Sequence, residues 1–340
     1  MLKNSFIILS GSNATDLHHQ AERLPGRRGE DPYPDKVMLP LNFAEFVNLI
    51  APDIPKLDFN LRDLMNDLNL ARRLIKEDIY AQQLKKLYNV FRLTGGFLNS
   101  INSYYRNQEV SELYYQTYLQ WIKGDINKLG RSENITRQIC AEVTERLVSK
   151  LDWQALSKNI NDLKHHSSLV EYIKLLDSFF ITKTLYQIDI HKKTVQSRKQ
   201  KKVYFIDHFI LWTLISWNLK LGNSFDYAAQ KVEDTLFGSK LAESFILQQL
   251  LHIEKATDYM NSKVFFWHAN KEIDFIVVND QGNLVPVEVK YQNKVDLKDF
   301  TFIKKQNFSQ GLIFSKNYNA ELETNFYCIA DYMLGLLSFE

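Results

Sequence analysis

At 340 residues the chain is long enough for two or three cored domains, and 45% hydrophobic with 24% charged residues is the balance of a soluble globular protein. A net charge of +2 gives no global argument for nucleic acid, so any such case rests on local patches. Cys140 and Cys328 lie far apart without metal-ligand spacing, which points to a reducing compartment and no disulfide framework. No signal peptide is visible, and the longest apolar stretch, Phe209–Trp217, is too short for a bilayer, so a cytoplasmic protein with no membrane partner is expected.

The first predicted element is a buried strand, Phe6–Leu9, running into Ser10-Gly11-Ser12-Asn13. Gly26–Pro40 reads as a loop rich in Gly, Pro and charge, and it carries Arg27 and Arg28. From Asn42-Phe43-Ala44-Glu45-Phe46 the chain turns helical to about residue 122. Leu64, Leu68, Ala71, Leu74 and Ile75 keep helical spacing, and Thr94-Gly95-Gly96 interrupts the run.

Residues 131–207 carry a winged-helix pattern. Asn134–Val148 is an amphipathic helix with Ile135, Ile139, Val143 and Leu147 on one face. A short helix over Asp152–Ile160 follows, then a third over Ser167–Asp177 with Ser167 or Ser168 as its N-cap. Phe179–Ile188 and Lys202–Ile206 read as two wing strands. The segment between them offers Lys192, Lys193, Arg198, Lys199, Lys201 and Lys202 with no acid. Two readings stay open: a solvated wing tip, or phosphate contacts to DNA assisted by Lys164, His165 and His166.

The remainder is mixed α/β. A helix over Lys240–His252 sets Glu243 above Ile246, Leu247 and Leu250. That carboxylate either points into a site or sits exposed in the first turn, where the helix dipole favours it. Strands follow at Val264–His268, at Glu272–Val277, at Val285–Tyr291, at Leu312–Phe314 and at Phe326–Ile329, with a helix near Asp296–Lys305. Ile273, Phe275 and Val277 alternate along one strand, and Val285, Val287 and Val289 along the next. Between them, Asn279-Asp280-Gln281-Gly282-Asn283 suits a short hairpin loop with Gly in the left-handed position. If Asn279 and Asn283 flank that loop, Asp274 lies opposite Glu288, and Lys290 shares the face of Glu288. Two carboxylates and a lysine on one face suit a Mg²⁺ ion and an oriented water. An ordinary cross-strand ion pair is the plainer alternative.

In this order, Glu243, Asp274 and Glu288-Val289-Lys290 on helix–β–β–β–α–β resemble the PD-(D/E)XK nuclease fold of restriction endonucleases and archaeal Holliday-junction resolvases. The whole chain looks like prokaryotic AAA-type ATPases that end in such a domain, a region of unknown function. The matching segments are Ser10-Gly11-Ser12, Leu24-Pro25-Gly26-Arg27, Leu39–Phe46, Gly95-Gly96-Phe97, Lys202–Asp207, Leu241-Ala242-Glu243 and the hairpin. The resemblance implies an AAA lid remnant over 1–122, a winged-helix-like domain over 123–206, and a restriction-endonuclease-like α/β core over 207–340. It implies catalytic Asp274, Glu288 and Lys290, with Glu243, Asp274 and Glu288 as Mg²⁺ ligands. Ser10, Ser12 and Arg27 would be the remnant of a nucleotide sensor.

The departure is the phosphate loop, since no G-x-x-x-x-G-K-[ST] occurs in the sequence. ATP binding is therefore expected only if another chain supplies that half, and a truncated or split gene is the expectation. The function expected is that of a truncated AAA-type ATPase-family protein with a DNA-binding winged helix and a Mg²⁺-dependent nuclease-like C-terminal domain, with DNA endonuclease activity left open. The alternatives are a non-catalytic DNA-binding or assembly module with a relic nuclease fold, or an ATPase half-protein. DNA, a second copy of the chain, or an upstream-encoded ATPase half are the partners this implies.

Overall fold

The computed structural model describes residues 38–163, 165–253 and 262–339. The expected strand Phe6–Leu9, the sensor residues Ser10, Ser12 and Arg27, and Lys164 lie outside these residues. The molecule is mixed α/β and about half helical, with a helical N-terminal region and a C-terminal sheet.

The first helices are α1 (Phe43–Ile50), α2 (Leu61–Asn66), α3 (Ala71–Lys76), α4 (Ala81–Thr94), α5 (Leu98–Asn107) and α6 (Glu112–Lys128). Asn42 starts α1 through a capping box with Glu45, each side chain accepting the other's backbone N–H, and such caps contribute about 1 kcal/mol. The break between α4 and α5 has a steric cause. Gly95 sits at φ +58°, and a Cβ there would lie 2.0 Å from an Asp207 carboxylate oxygen. Gly96 N–H donates to that carboxylate at 2.7 Å, and a Cβ on Gly96 would strike the Leu41 backbone.

The middle of the chain runs α7 (Glu133–Glu145), β1 (Lys150–Leu151), α8 (Trp153–Ser157), α9 (His166–Ser178), β2 (Thr182–Tyr186), β3 (Ile188–Asp189), β4 (Thr194–Val195) and β5 (Lys201–Phe205). Strands β1, β5 and β2 form an antiparallel sheet in that order, and β3–β4 is a separate small hairpin. Next come α10 (His208–Leu219), α11 (Ser224–Glu233) and α12 (Thr235–Leu251). The apolar stretch at 209–217 is thus a core helix, buried all round from His208 to Ser216. Among the described residues no helix is long and apolar enough to cross a membrane.

The C-terminal sheet contains β6 (Val264–His268), β7 (Glu272–Val278), β8 (Leu284–Lys290), β9 (Gly311–Ser315), β10 (Ala320–Glu323) and β11 (Phe326–Ala330). Its order is β10-β11-β9-β8-β7-β6, with β9 parallel to both β8 and β11. A short helix, α13 (Thr301–Lys305), lies between β8 and β9. One apolar core joins α1–α4 to α12 and one face of this sheet, through Phe43, Phe91, Phe245, Phe275 and Val287. The other face packs on α13 and on Ile188 and Ile190. A separate core spans α6, α7, α9 and α10.

Candidate functional site

The β7–β8 hairpin pairs Phe275 with Val287, Ile276 with Pro286, Val277 with Val285 and Val278 with Leu284, the register its turn implies. Gly282 takes φ +74°, and the Asn279 side chain accepts from the N–H groups of Gln281 and Asn283. At the open end the register continues through side chains. Asp274 N–H donates to Glu288 Oε2 at 3.3 Å, and Val289 N–H donates to Asp274 Oδ2 at 2.8 Å. On its other side β7 is irregular: Phe265 pairs with Ile276 but Trp267 with Ile273, so Asp274 and Phe275 together face Phe266. Such a bulge re-aims a side chain, and it sits at the Asp274 carboxylate.

Four carboxylates gather there. Helix α12 begins at Thr235, so Glu243 stands well inside it rather than in the first turn, and its exposure at a helix start is excluded. Its Oε1 accepts from Lys202 Nζ at 2.9 Å and from Tyr204 OH at 2.6 Å. Lys202 Nζ also lies 2.5 Å from Glu272 Oε1 and 3.9 Å from Asp274 Oδ1, with its side chain only 1% exposed. Lys290 Nζ donates to Glu288 Oε1 at 2.6 Å. Glu243, Glu272, Asp274 and Glu288 thus face three ammonium groups, because Lys150 Nζ also lies 3.4 Å from Glu272 Oε2, and full ionisation leaves one negative charge uncompensated.

The proton affinities follow from that imbalance. Burial, and next the charge of Asp274, pushes the carboxyls of Glu243 and Glu288 up. Burial also raises Asp274, against the opposing pull of Lys202 and of the Val289 N–H. For Lys202 burial works against the charge, but Tyr204, Glu243, Asp274 and Glu272 outweigh it and keep the ammonium protonated.

Beside the cluster a cleft of about 410 Å³ is lined by Glu272, Glu288 and Lys290 and by Lys271, Lys298, Asp299 and Lys305. Lysines on the walls and carboxylates between them suit a phosphate chain approaching a cation. Among the described residues no three His, Cys, Asp or Glu side chains stand together as a ready metal cage. Asp274 and Glu288 are neighbours, whereas Glu243 is engaged by Lys202 and Tyr204. Two carboxylates with water satisfy Mg²⁺, and the acids of the cluster still outnumber its ammonium groups, so the Asp274–Glu288 pair fits the ion.

The basic segment is divided. Lys192, Lys193, Arg198 and Lys199 are exposed around the β3–β4 hairpin, which reaches the edge strand β6 through the Gln187–Phe266 bridge. Lys193 Nζ donates to Gly282 O at 2.8 Å, at the tip of the β7–β8 hairpin. Six residues from Gly282 to Glu288 put that tip about 20 Å from the carboxylates. Lys201 and Lys202 are buried in β5, Lys201 over the Trp153 ring, and so are not part of an exposed phosphate-binding surface. In sequence they belong to the basic run, because nothing local shows that β5 turns inward. Glu272 and Tyr204 join the cluster without having been singled out by sequence reasoning. Their signal is spacing by two, Glu272 with Asp274 and Tyr204 with Lys202.

Two family models match. One, described as Domain of unknown function (DUF8612), covers residues 85–221, from within α4 to the end of α10. The other, Domain of unknown function (DUF4143), covers residues 239–330, the helix and sheet that build the cluster, and this domain occurs in AAA-ATPase-associated proteins. No curated protein and no solved structure matches the chain.

Proposed function

We propose that this chain binds DNA and cleaves phosphodiesters with one Mg²⁺ held by Asp274 and Glu288, the C-terminal sheet being a PD-(D/E)XK-type core. The observation that carries this reading is the buried Asp274–Glu288 pair, whose Glu288 lines a lysine-rich cleft with Lys290 beside it. When bound, the ion supplies Lewis acidity toward a phosphoryl oxygen. Lys290 keeps its proton beside Glu288 and orients the attacking water or steadies phosphate charge. Lys271, Lys298 and Lys305 hold flanking phosphates along the cleft. Lys202 and Lys150 together neutralise Glu243 and Glu272, so that these acids do not repel the substrate.

The order α7, β1, α8, α9, β2, β5, with β5 between β1 and β2, supports a winged-helix-like unit that contacts DNA. Lys192, Lys193, Arg198 and Lys199 are its exposed cations. A nucleotide role stays tied to a phosphate loop supplied by another chain. A second reading, a DNA-binding or assembly module without cleavage, is favoured by one observation: Lys202 already neutralises part of the acid cluster. Incubating the protein with linear and branched DNA, with and without Mg²⁺, decides between them. We expect Mg²⁺-dependent cutting that Asp274→Asn loses while circular dichroism stays unchanged. Retained DNA binding with no cutting of either substrate hands the protein to the second reading.

A further inference from the structure

Lys202 sits apart from the other lysines near the cluster. Its ammonium touches carboxylates from two elements, Glu243 of α12 and Glu272 of β7, and stands 3.9 Å from Asp274 Oδ1. Its side chain is buried, and its backbone is held on both sides, by Lys150 of β1 and Leu185 of β2. The Phe266 ring, 5.8 Å from the ammonium, closes the position further. Asp274 is shared between two surroundings: Oδ1 faces Lys202, while Oδ2 accepts from Val289 beside Glu288. One carboxylate shared by two cation positions a few ångströms apart is the layout of a site for two divalent ions. Here one of those positions is filled by a covalently attached cation.

We infer that Lys202 sets the divalent-ion stoichiometry of the site by permanently occupying the position between Glu243, Glu272 and Asp274. This rests on reading the Asp274–Glu288 end as a divalent-cation site. Lys202 is a positioning residue: its single fixed charge gathers three carboxylates and leaves the Asp274–Glu288 side for an exchangeable ion. An ammonium donates hydrogen bonds and has no empty coordination position, so it does not polarise a phosphoryl oxygen as Mg²⁺ does. The chemistry then depends on one ion rather than two.

The test counts Mn²⁺ bound per chain, by titration calorimetry and by the electron paramagnetic resonance signal of free Mn²⁺. Lys202→Met removes the charge but fills the space, and we expect it to bind one Mn²⁺ more than the unaltered protein. Lys202→Arg keeps a cation and leaves the count unchanged. Adding Glu243→Gln to Lys202→Met removes the extra ion. An equal count in Lys202→Met and the unaltered protein overturns the inference and leaves Lys202 a structural ion-pair partner. If Lys202→Met folds only with Mn²⁺ present, the inference stands. If it stays unfolded with and without Mn²⁺ while Lys202→Arg folds, the inference fails. Absence of Mn²⁺ binding by the unaltered protein counts against the Asp274–Glu288 reading alone, because the comparison between variants still reports on Lys202.

Discussion

The two ends of the β7–β8 hairpin use the same residue types to opposite effect. At the tip, Asp280 receives a two-pronged hydrogen bond from Arg62, with Asn66 and Lys263 beside it, in partly exposed surroundings. The Arg62 hydrogen bonds, then Asn66, hold its carboxyl well below the usual range. At the open end, Asp274, Glu288 and Glu243 are raised, with burial the largest cause in each. An acid matched by an arginine at the surface is finished chemistry, a clamp of α2 onto the hairpin. Acids that outnumber their cations in a buried setting are unfinished, and that marks the open end as the candidate site.

The comparison breaks first at Lys202. Removing one partner of a buried ion pair leaves uncompensated charge, so Lys202→Met should cost about 3–5 kcal/mol in metal-free urea unfolding. A cost below about 1 kcal/mol would make the open end no different from the tip.

Asp274→Asn comes next. Several kcal/mol of transition-state stabilisation is at stake, and ~3 kcal/mol corresponds to a loss of ~100-fold in cleavage rate. Single-turnover assays with Mg²⁺ read this directly. Retention of most of the rate removes Asp274 from the site.

The pH response sharpens the contrast. A carboxyl raised by burial in the folded state contributes stability that is complete below its unfolded pKa, about 4.3 for Glu. That contribution is lost as pH rises through the folded value, so Glu243 and Glu288 should lower the metal-free melting temperature from about pH 5 upward. Saturating Mg²⁺ should offset the fall, and its binding should release protons, visible as a dependence of calorimetric heat on the buffer's ionisation enthalpy. Asp280 at the tip has the opposite sign: its lowered pKa contributes stability above the ordinary aspartate value that disappears on acidification.

The smallest effects belong to the tip. Arg62→Ala should cost no more than about 1 kcal/mol, because the pair is about one-third exposed, and should leave Mn²⁺ binding intact. Replacing Lys192, Lys193, Arg198 and Lys199 by Ala should leave cleavage chemistry unaltered. It should reduce the salt dependence of duplex-DNA affinity by about 0.9 in log–log slope for each phosphate that the protein no longer neutralises. An unchanged slope removes the β3–β4 hairpin from the DNA interface.

Much of the hairpin is legible in the chain itself. Period-two alternation of Ile, Phe and Val, with Gly at the one turn position that needs φ +74°, fixes which residues pair, and the pairing carries Asp274 to Glu288. Helix α10 shows in the sequence only as the apolar stretch Phe209–Trp217, interrupted by Thr213 and Ser216, whereas the α4–α5 break is legible from its paired glycines. Strand β10 is not, because Ala320–Glu323 is half polar and lies at the sheet edge. The sharing of one core between α1–α4 and the distant sheet is hidden as well, since periodicity reports which face is apolar and never what covers it.

By itself, then, the sequence determined the local register at the site, the Glu288–Lys290 neighbourhood and the β7–β8 turn, because these depend on backbone geometry over a few residues. Only the tertiary structure decided that Lys202 leaves the basic run. Strand β5 is flanked by β1 and β2, so its side chains point where the sheet directs them, and the Lys202 ammonium is carried into a cluster with Glu243 and Glu272, acids 41 and 70 residues further along the chain. Charge type is written in the sequence. Which charges are desolvated together depends on long-range packing, and that packing separates the site at one end of the hairpin from the clamp at the other.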